Sequence, residues 1–268
     1  MAKTELAIIK DTASYLPSAE IIQETLDDLR DIMSRKLFGV ISIAPAGAGT
    51  FKVLEPCADE VTNGVAEVEC VILASHPMNI LWGKPFGERQ KGERPICRSM
   101  NGDEGVDESG EIHSCADCPN NQFGEDGQRK RCSNKRQLYV LRQGDVLPML
   151  LTLPPSALSS YDRYRGRVRL TLKRSMFSVL TRIKLTNKTS DVSHAEYSVP
   201  VFEAVGLLPE AEAKRVEEFA RGIADSAQRA GIVADELSNE AEDAEDASTA
   251  PAGGSFTVVP DEDIPDNF

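Results

Sequence analysis

Four cysteines between residues 97 and 132 have the spacing of metal ligands. Cys97, Cys115, Cys118 and Cys132 follow the pattern C-x17-C-x2-C-x13-C. Four thiolates complete the tetrahedral shell of a structural zinc ion, and a C-x2-C pair presents two of them together. The segment is rich in Gly, Asp and Asn and has few apolar residues, so it needs such a metal to hold a structure. We predict structural Zn²⁺ bound by these four thiols; unpaired structural cysteines are the alternative.

The remaining thiols and histidines form no catalytic pattern. Cys57 and Cys70 lie in strand-like surroundings that are typical of buried thiols. His113, two residues before Cys115, is expected on the surface. A deaminase needs a His-x-Glu element before its cysteine pair, and this sequence has none there. We also find no nucleophile–base pairing and no phosphate-binding glycine loop. The metal is therefore predicted to be a scaffold in a protein that is not an enzyme.

Charge is divided unevenly along the chain. The formal net charge is −13, yet residues 128–188 hold 15 Lys and Arg against two acids. Residues 203–268 hold 17 acids against four basic residues. A basic middle and an acidic end in one chain favour a nucleic-acid surface with an internal competitor for it. The alternative is an ordinary soluble protein with solvated charges.

The basic middle also contains the residue types that single-stranded DNA requires. Cations bind the phosphates and flat side chains stack on the unpaired bases. Trp82 adds an aromatic ring from an earlier loop. The residues predicted to contact DNA are Arg129, Lys130, Arg131, Lys135, Arg136, Tyr139, Tyr164, Arg165, Arg167, Arg169, Lys173, Arg174, Phe177, Arg182, Lys184 and Trp82.

An arginine repeat is the densest part of this region. If residues 167–173 (RVRLTLK) form a strand, alternation places Arg165, Arg167 and Arg169 on one face, with Val168 and Leu170 on the other. Like charges on one strand face are unfavourable without an anion to meet them. The repeat therefore predicts a strand that faces phosphates.

Short β-branched runs broken by Gly, Pro and Asn predict a mainly β (α+β) fold. Five strands are enough for an oligonucleotide-binding (OB) fold, a small Greek-key barrel. We predict an OB-fold-like barrel over residues 37–205 with a zinc-binding insertion at 97–132. A helical segment at 1–36, a helix at 206–234 and a disordered acidic tail at 235–268 flank it. The predicted strands are 37–43, 50–54, 65–73, 137–142, 146–153, 167–173, 176–186 and 196–205; the predicted helices are 17–36, 156–164 and 209–230.

The last eight residues carry a resemblance to a known family. Asp261, Glu262, Asp263, Ile264 and Pro265 are followed by Asp266, Asn267 and Phe268. This ending resembles the tail of bacterial and phage single-stranded-DNA-binding proteins, in which an acidic run ends in an Asp-Ile-Pro-Phe-like tip. Here two residues separate the proline from the phenylalanine. Some phage members are similar in carrying a zinc subdomain beside an OB barrel.

The resemblance implies sequence-independent binding of single-stranded DNA in replication, recombination and repair. It also implies that Asp261, Glu262, Asp263, Ile264, Pro265 and Phe268 recruit replication and repair proteins, and that the tail folds back on the basic groove without DNA. Two alternatives remain open. One is a zinc-ribbon transcription or replication factor that binds duplex DNA or a polymerase. The other is a metal-dependent nuclease, although Glu104, Asp107 and Glu108 lie in a glycine-rich loop typical of solvated acids.

Localisation follows from what the sequence lacks. The first ten residues have no apolar core of the length that a signal peptide needs. No run approaches the roughly 18 apolar residues of a membrane span. We expect a cytoplasmic protein, in the host cytoplasm if a phage encodes it, with no membrane partner. The oligomeric state is not predicted.

Overall fold

The computed structural model describes residues 6–8, 14–18, 20–21, 24, 38–45, 47–56, 58, 60–84, 88–89, 93–124, 130–189, 194 and 196–230. Most of the predicted helix at 17–36 lies outside these residues, although the backbone is helical at Glu20, Ile21 and Glu24. Arg129 and the predicted tail at 235–268, including the tip from Asp261 to Phe268, also lie outside them.

The described chain is mainly β, with eleven strands in one mixed sheet and two α-helices. The strands are β1 (Val40–Ile43), β2 (Phe51–Leu54), β3 (Val61–Val65), β4 (Glu67–Leu81), β5 (Cys97–Ser99), β6 (Glu104–Asp107), β7 (Ile112–Ser114), β8 (Ser133–Leu141), β9 (Met149–Leu153), β10 (Val179–Thr189) and β11 (Glu196–Leu207). The helices are α1 (Pro155–Gly166), continued by a π-helical turn (Arg167–Thr171), and α2 (Glu210–Ala230); 3-10 turns lie at Pro119–Asn121 and Met176–Ser178.

The long strand β4 organises the sheet. Along one edge it pairs first with β10 and then with β5, and along the other edge it pairs with β8. The order across the sheet is therefore β10-β4-β8-β9, because β10 returns after α1 to lie beside β4. A fourth strand that returns to the first of three consecutive ones defines a Greek key. Strand β1 extends the sheet through a parallel pairing with β9.

The two faces of this sheet are both buried, because successive side chains alternate between them. One face carries a core of strand residues that includes Ile72, Val140 and Leu151, and α1 covers it with Tyr161. The other face carries Val71, Tyr139 and Leu150 and is covered by Tyr15 and by Val216 and Phe219 of α2. Helix α1 thus packs against β8, β9 and β11.

Loop hydrogen bonds, rather than paired strands, connect the β1–β2 end of the sheet to the β10–β11 end. Among the described strands, β11 pairs only with β10 and β3 only with β2, so the sheet is not closed. The loop between β1 and β2 bridges towards β10 and β11: Asn187 Nδ2 donates to Gly47 O at 2.5 Å, and Gly49 N donates to Ser198 Oγ at 3.1 Å. Gly47 has a φ of +66°, and an added Cβ would lie 2.7 Å from that of Glu196.

Most of the predicted elements are confirmed, and one is wrong. Residues 167–173 are not a strand, because α1 runs on into the π-helical turn. The deciding pattern is Ala157, Tyr161, Tyr164 and Val168, which are all buried and recur at helical spacing. Consequently Arg165, Arg167 and Arg169 do not share one strand face. Strands β3, β5, β6 and β7 were not predicted.

Candidate nucleic-acid interface and cysteine cluster

Three of the four cysteines lie where a strand begins or ends, two of them beside one end of β4. Cys97 begins β5 and pairs with Leu81, the last residue of β4. Cys132 directly precedes β8, whose first residue pairs with Ile80 on the other side of β4. The two thiols therefore flank the same end of one strand. Cys115 directly follows β7, and Cys118 precedes the 3-10 turn.

Hydrogen bonds to backbone carbonyl groups hold the cysteine pair and Cys132 in place. Cys115 N donates to Asp103 O at 2.8 Å, and Asn121 Nδ2 donates to Cys115 O at 2.8 Å. Asn121 N donates to Cys118 O at 2.9 Å, and Cys132 N donates to Asn120 O at 2.7 Å. The residues that follow the pair thus bind both of its cysteines and the last cysteine of the cluster.

Gly105 on β6 leaves room for the sulfur atoms. A Cβ added there would lie 2.8 Å from Cys97 Sγ and 3.6 Å from Cys115 Sγ, so any larger residue would displace the Cys97 sulfur. Burial, followed by the nearby thiols of Cys115, Cys97 and Cys118, raises the pKa of the Cys132 thiol to about 12. The sulfurs of Cys97 and Cys115 thus share the space beside Gly105, and Cys118 and Cys132 lie in the same neighbourhood.

A second group of potential metal ligands lies on the turn between β6 and β7. One ligand atom each of Asp107, Glu111 and His113 lies within 4.8 Å of the others. Asp107 already accepts hydrogen bonds from Ser109 N, Ser109 Oγ and Glu111 N, and its Oδ2 lies 2.7 Å from His113 Nε2. The hydrogen bonds from Ser109 and His113 hold the pKa of Asp107 well below its usual range. The carboxylate thus stabilises the turn.

The predicted arginine repeat lies on the helical segment instead of on a strand. Six cationic side chains between residues 163 and 174 are exposed. Within the described part of the chain, one ion pair involves these six side chains, that of Arg165 with Asp162 at 3.7 Å. Lys173 has a φ of 55°, a conformation that costs energy for a residue other than glycine. The six are Arg163, Arg165, Arg167, Arg169, Lys173 and Arg174.

Arg136 and Arg165 converge on one buried tyrosine. The guanidinium carbon of Arg136 lies 5.8 Å from the centre of the Tyr161 ring. Burial raises the pKa of Tyr161, whereas its hydrogen bond with Ser75 and the charges of Arg136 and Arg165 oppose the rise. Arg136 Nε is buried and has no hydrogen-bond partner among the described residues. Two predicted DNA contacts from different elements therefore lie near the same tyrosine.

Two other predicted contacts are engaged in ion pairs on the sheet. Arg182 Nη2 lies 2.5 Å from Glu69 Oε1, and Lys184 Nζ lies 3.2 Å from Glu67 Oε2. The hydrogen bond with Glu69 raises the pKa of Arg182. These cations on β10 are matched by acids on β4, so their charge is partly compensated within the protein.

The predicted stacking aromatics are mostly in the core. Tyr139 is 1% exposed and Tyr164 is 6% exposed. Tyr164 Oη lies 2.6 Å from Thr181 Oγ1. Phe177 is half-buried against the core on the α2 side. Trp82 packs on Met78 and Ile80, with the Arg89 guanidinium 4.2 Å from its ring centre.

An exposed aromatic beside the cysteines was not predicted. Phe123 is 55% exposed, and Lys130 Nζ lies 4.9 Å from the centre of its ring. Arg131 is exposed and donates from Nη1 to Asn120 Oδ1 at 3.3 Å. Lys135 is half-buried on β8. The sequence held a signal for Phe123, since it is the only Phe, Tyr or Trp between Cys97 and Cys132.

Comparison with models of protein families, with curated proteins and with solved structures finds no match to this chain.

No helix among the described residues is long and apolar enough to cross a membrane. The described residues thus provide four neighbouring cysteines, the exposed ring of Phe123 and cations on three elements. These elements are the segment before β8, β8 itself and α1 with its π-helical turn.

Proposed function

We propose that this protein binds single-stranded DNA without sequence preference. The observation that carries the proposal is the convergence of Arg136 and Arg165 on Tyr161. It supports the proposal that the basic start of β8 and the basic helical segment act together on one ligand. The exposed cations of the helical segment repel one another, and binding of a polyanion such as DNA relieves this repulsion.

The strand order supports an OB-like domain. That fold is a five-stranded, partly open Greek-key barrel whose second and third strands bind oligonucleotides, together with the loop between the first two. Strands β4, β8, β9, β10 and β11 follow such a Greek key. In this correspondence β8 and β9 are the second and third strands. The cysteine segment, with Phe123, Lys130 and Arg131, is then the loop between the first and second.

Zinc is the metal that fits the cysteine cluster. Four sulfur donors suit a tetrahedral structural site, and the space beside Gly105 accommodates the sulfurs of Cys97 and Cys115. When bound, zinc would supply a rigid cross-link between the ends of β5, β7 and β8. The protein's own residues then present Phe123 and Arg131 to the nucleic acid.

Binding would use two kinds of contact. Arg131, Arg136, Arg165 and Arg169 would neutralise phosphates, which makes the affinity salt-dependent. Phe123 would stack on a base, a contact that every base can make. Neither contact reads a base edge, so no sequence preference is expected.

The acidic end of the chain would recruit other proteins. With 17 acids against four basic residues over 203–268, it would also compete with DNA for the basic surface. The residues proposed for capture of replication and repair proteins are Asp261, Glu262, Asp263, Ile264, Pro265 and Phe268.

Fluorescence of Trp82, the only tryptophan, offers a direct test of binding. We expect oligo-dT to change it with an affinity that falls steeply with salt. The double variant Arg165→Ala/Arg169→Ala should weaken binding and lower the salt slope by roughly 0.7 per lost phosphate contact. The matched control is Arg182→Ala/Lys184→Ala, whose cations are ion-paired; it should retain most of the slope.

The same experiment separates the alternatives. Tighter binding of a duplex than of the single strand would favour a zinc-ribbon factor instead. Metal-dependent cleavage of the oligonucleotide would favour a nuclease. An unchanged salt slope in the Arg165/Arg169 variant would contradict the proposed surface.

The metal and the tail have separate tests. The purified protein should contain about one zinc per chain, and Cys115→Ser/Cys118→Ser should release it; zinc-free wild-type protein would contradict the site. Deletion of residues 235–268 should leave DNA affinity unchanged or raised and abolish capture of partner proteins. A marked loss of DNA affinity on deletion would contradict this division of roles.

A further inference from the structure

The hairpin of β6 and β7 combines acidic charge with an exposed apolar pair. Val106 and Ile112 are direct cross-strand partners, with 42% and 68% exposure. No Lys or Arg occurs between Arg98 and Arg129. The acids on and beside the hairpin are Asp103, Glu104, Asp107, Glu108, Glu111 and Asp117.

This hairpin is also an edge of the sheet. Among the described strands, β7 pairs only with β6, and all three of its residues are exposed. Acidic side chains are a common way to protect a free edge from association. An exposed cross-strand apolar pair next to the turn of this hairpin does not serve this purpose. The pair instead has the composition of a small binding site with a charged rim.

A complementary surface lies on the helical segment. Side chains two positions apart on a helix do not face each other, so Arg163 and Arg167 lie on a different flank from Arg165. Beyond them, Leu170 is 80% exposed. Lys173 and Arg174 follow it, with Lys173 in the left-handed conformation. We call Arg163, Arg167, Leu170, Lys173 and Arg174 the basic knob.

We propose that the β6–β7 hairpin of one copy of this protein docks on the basic knob of another copy. Val106 and Ile112 would contact Leu170, and the hairpin acids would surround the knob cations. The two surfaces differ, so the contact is heterologous and repeats from copy to copy as an open row. The contact requires no DNA and does not rest on the proposed function. The surface formed by Arg136 and Arg165 stays free.

The chemistry predicts a weak, salt-sensitive contact. A hairpin and one helical turn bury less area than a stable interface needs, below about 1,200 Å². Attraction between the opposite charges raises the association rate of the two copies, and salt weakens this attraction. On a shared single strand, a weak contact between neighbours gives cooperative binding because the neighbours are held close together.

Charge reversal in the full-length protein tests the contact. We expect concentration-dependent association of the wild type in low salt by sedimentation velocity. Variant one carries Glu104→Lys, Glu108→Lys and Glu111→Lys; variant two carries Arg163→Glu, Arg167→Glu and Arg174→Glu. For each variant alone, the association constant should fall about tenfold or more, because like charges then face each other. A 1:1 mixture should regain association, since both contacts between unlike variants pair opposite charges.

The controls separate the contact from general charge effects and from misfolding. Glu60→Lys/Glu88→Lys/Glu218→Lys makes the same change in net charge at exposed acids outside the hairpin, and it should associate like the wild type or better. Should a triple variant fail to fold, Ile112→Ser and Leu170→Ser must each weaken association. A wild type that stays monomeric in low salt, or a mixture that stays monomeric, would overturn the proposal. DNA is absent throughout, so the outcome does not depend on the proposed function.

Discussion

The side-chain hydroxyl groups of Tyr164 and Thr181 lie 2.6 Å apart in the core. Tyr164 belongs to α1 and Thr181 to β10, and they are 6% and 0% exposed. This hydrogen bond therefore fixes the helix that carries Arg165 relative to the sheet that carries Arg136.

Removing one partner of this bond should destabilise the fold. Tyr164→Phe and Thr181→Val should each lower the free energy of unfolding by about 1–3 kcal/mol, since a buried hydroxyl is left without a partner. The double variant should lose less than the sum, because neither hydroxyl then remains. Urea denaturation measures all three, with Tyr197→Phe as a control. Fully additive losses would contradict the coupling.

The space beside Gly105 gives a prediction on metal binding. Gly105→Ala places a methyl group 2.8 Å from Cys97 Sγ, so the sulfur must move away from its position in the cluster. We expect zinc affinity to fall about tenfold or more, measured by competition with a chromogenic chelator. Gly83→Ala is the matched control, because among the described residues its added Cβ would meet Ile96 Cγ2 alone, at an ordinary contact distance of 3.8 Å. Equal zinc affinity in both variants would be evidence against the cluster geometry.

His76 should make stability depend on pH. Burial, followed by the charge of Arg136, lowers its pKa from 6.5 to about 4. Between these two pH values the unfolded chain binds a proton that the folded chain excludes. The stability contributed by His76 is therefore complete above pH 6.5 and is lost as the pH falls towards 4.

Substitution isolates this contribution. Thermal unfolding of His76→Asn should show a flatter decline than the wild type between pH 6.5 and about 4. The exposed His194 supplies the control, and His194→Asn should follow the wild-type curve. Parallel curves for His76→Asn and the wild type would show that burial does not suppress its protonation.

Phe123 should contribute to affinity without affecting the salt dependence. Phe123→Ala removes an uncharged stacking surface, so binding of oligo-dT should weaken by about 1–3 kcal/mol at an unchanged salt slope. Val201→Ala, at a residue with 44% exposure on β11, should have no effect. A change in slope for Phe123→Ala would mean that Lys130, which lies over the ring, acts through it.

The sequence sufficed for the parts of the fold that rest on local patterns. Short β-branched runs broken by Gly, Pro and Asn predicted β1, β2, β8 and β9, and Pro209 as a helix start predicted α2. The cysteine spacing predicted four neighbouring thiols, and the structure places the sulfurs of two of them, Cys97 and Cys115, beside Gly105. These signals are contained within short windows, so no long-range contact is needed to recognise them.

Other features depend on contacts that a single sequence does not reveal. The arginines at 165–169 alternate as on a strand, whereas Tyr161, Tyr164 and Val168 recur as on a helix. The burial of these three residues shows that the segment is helical. Because Tyr164 is buried, its ring is not exposed for stacking on a base as predicted. Arg182 and Lys184 were predicted to contact DNA, but the pairing of β10 with β4 places acids beside both of them.

The place of the cysteine segment in the sheet affects the rate of folding. Strands β4 and β8 are paired neighbours, yet the whole segment from residue 82 to 132 separates them. Closing a loop of about 50 residues before the central ladder can form is slow and entropically unfavourable. A metal held by Cys97 and Cys132 would close most of that loop in advance. Metal loading would then act as a step in the assembly of the β-sheet, and metal limitation would delay the maturation of the entire domain.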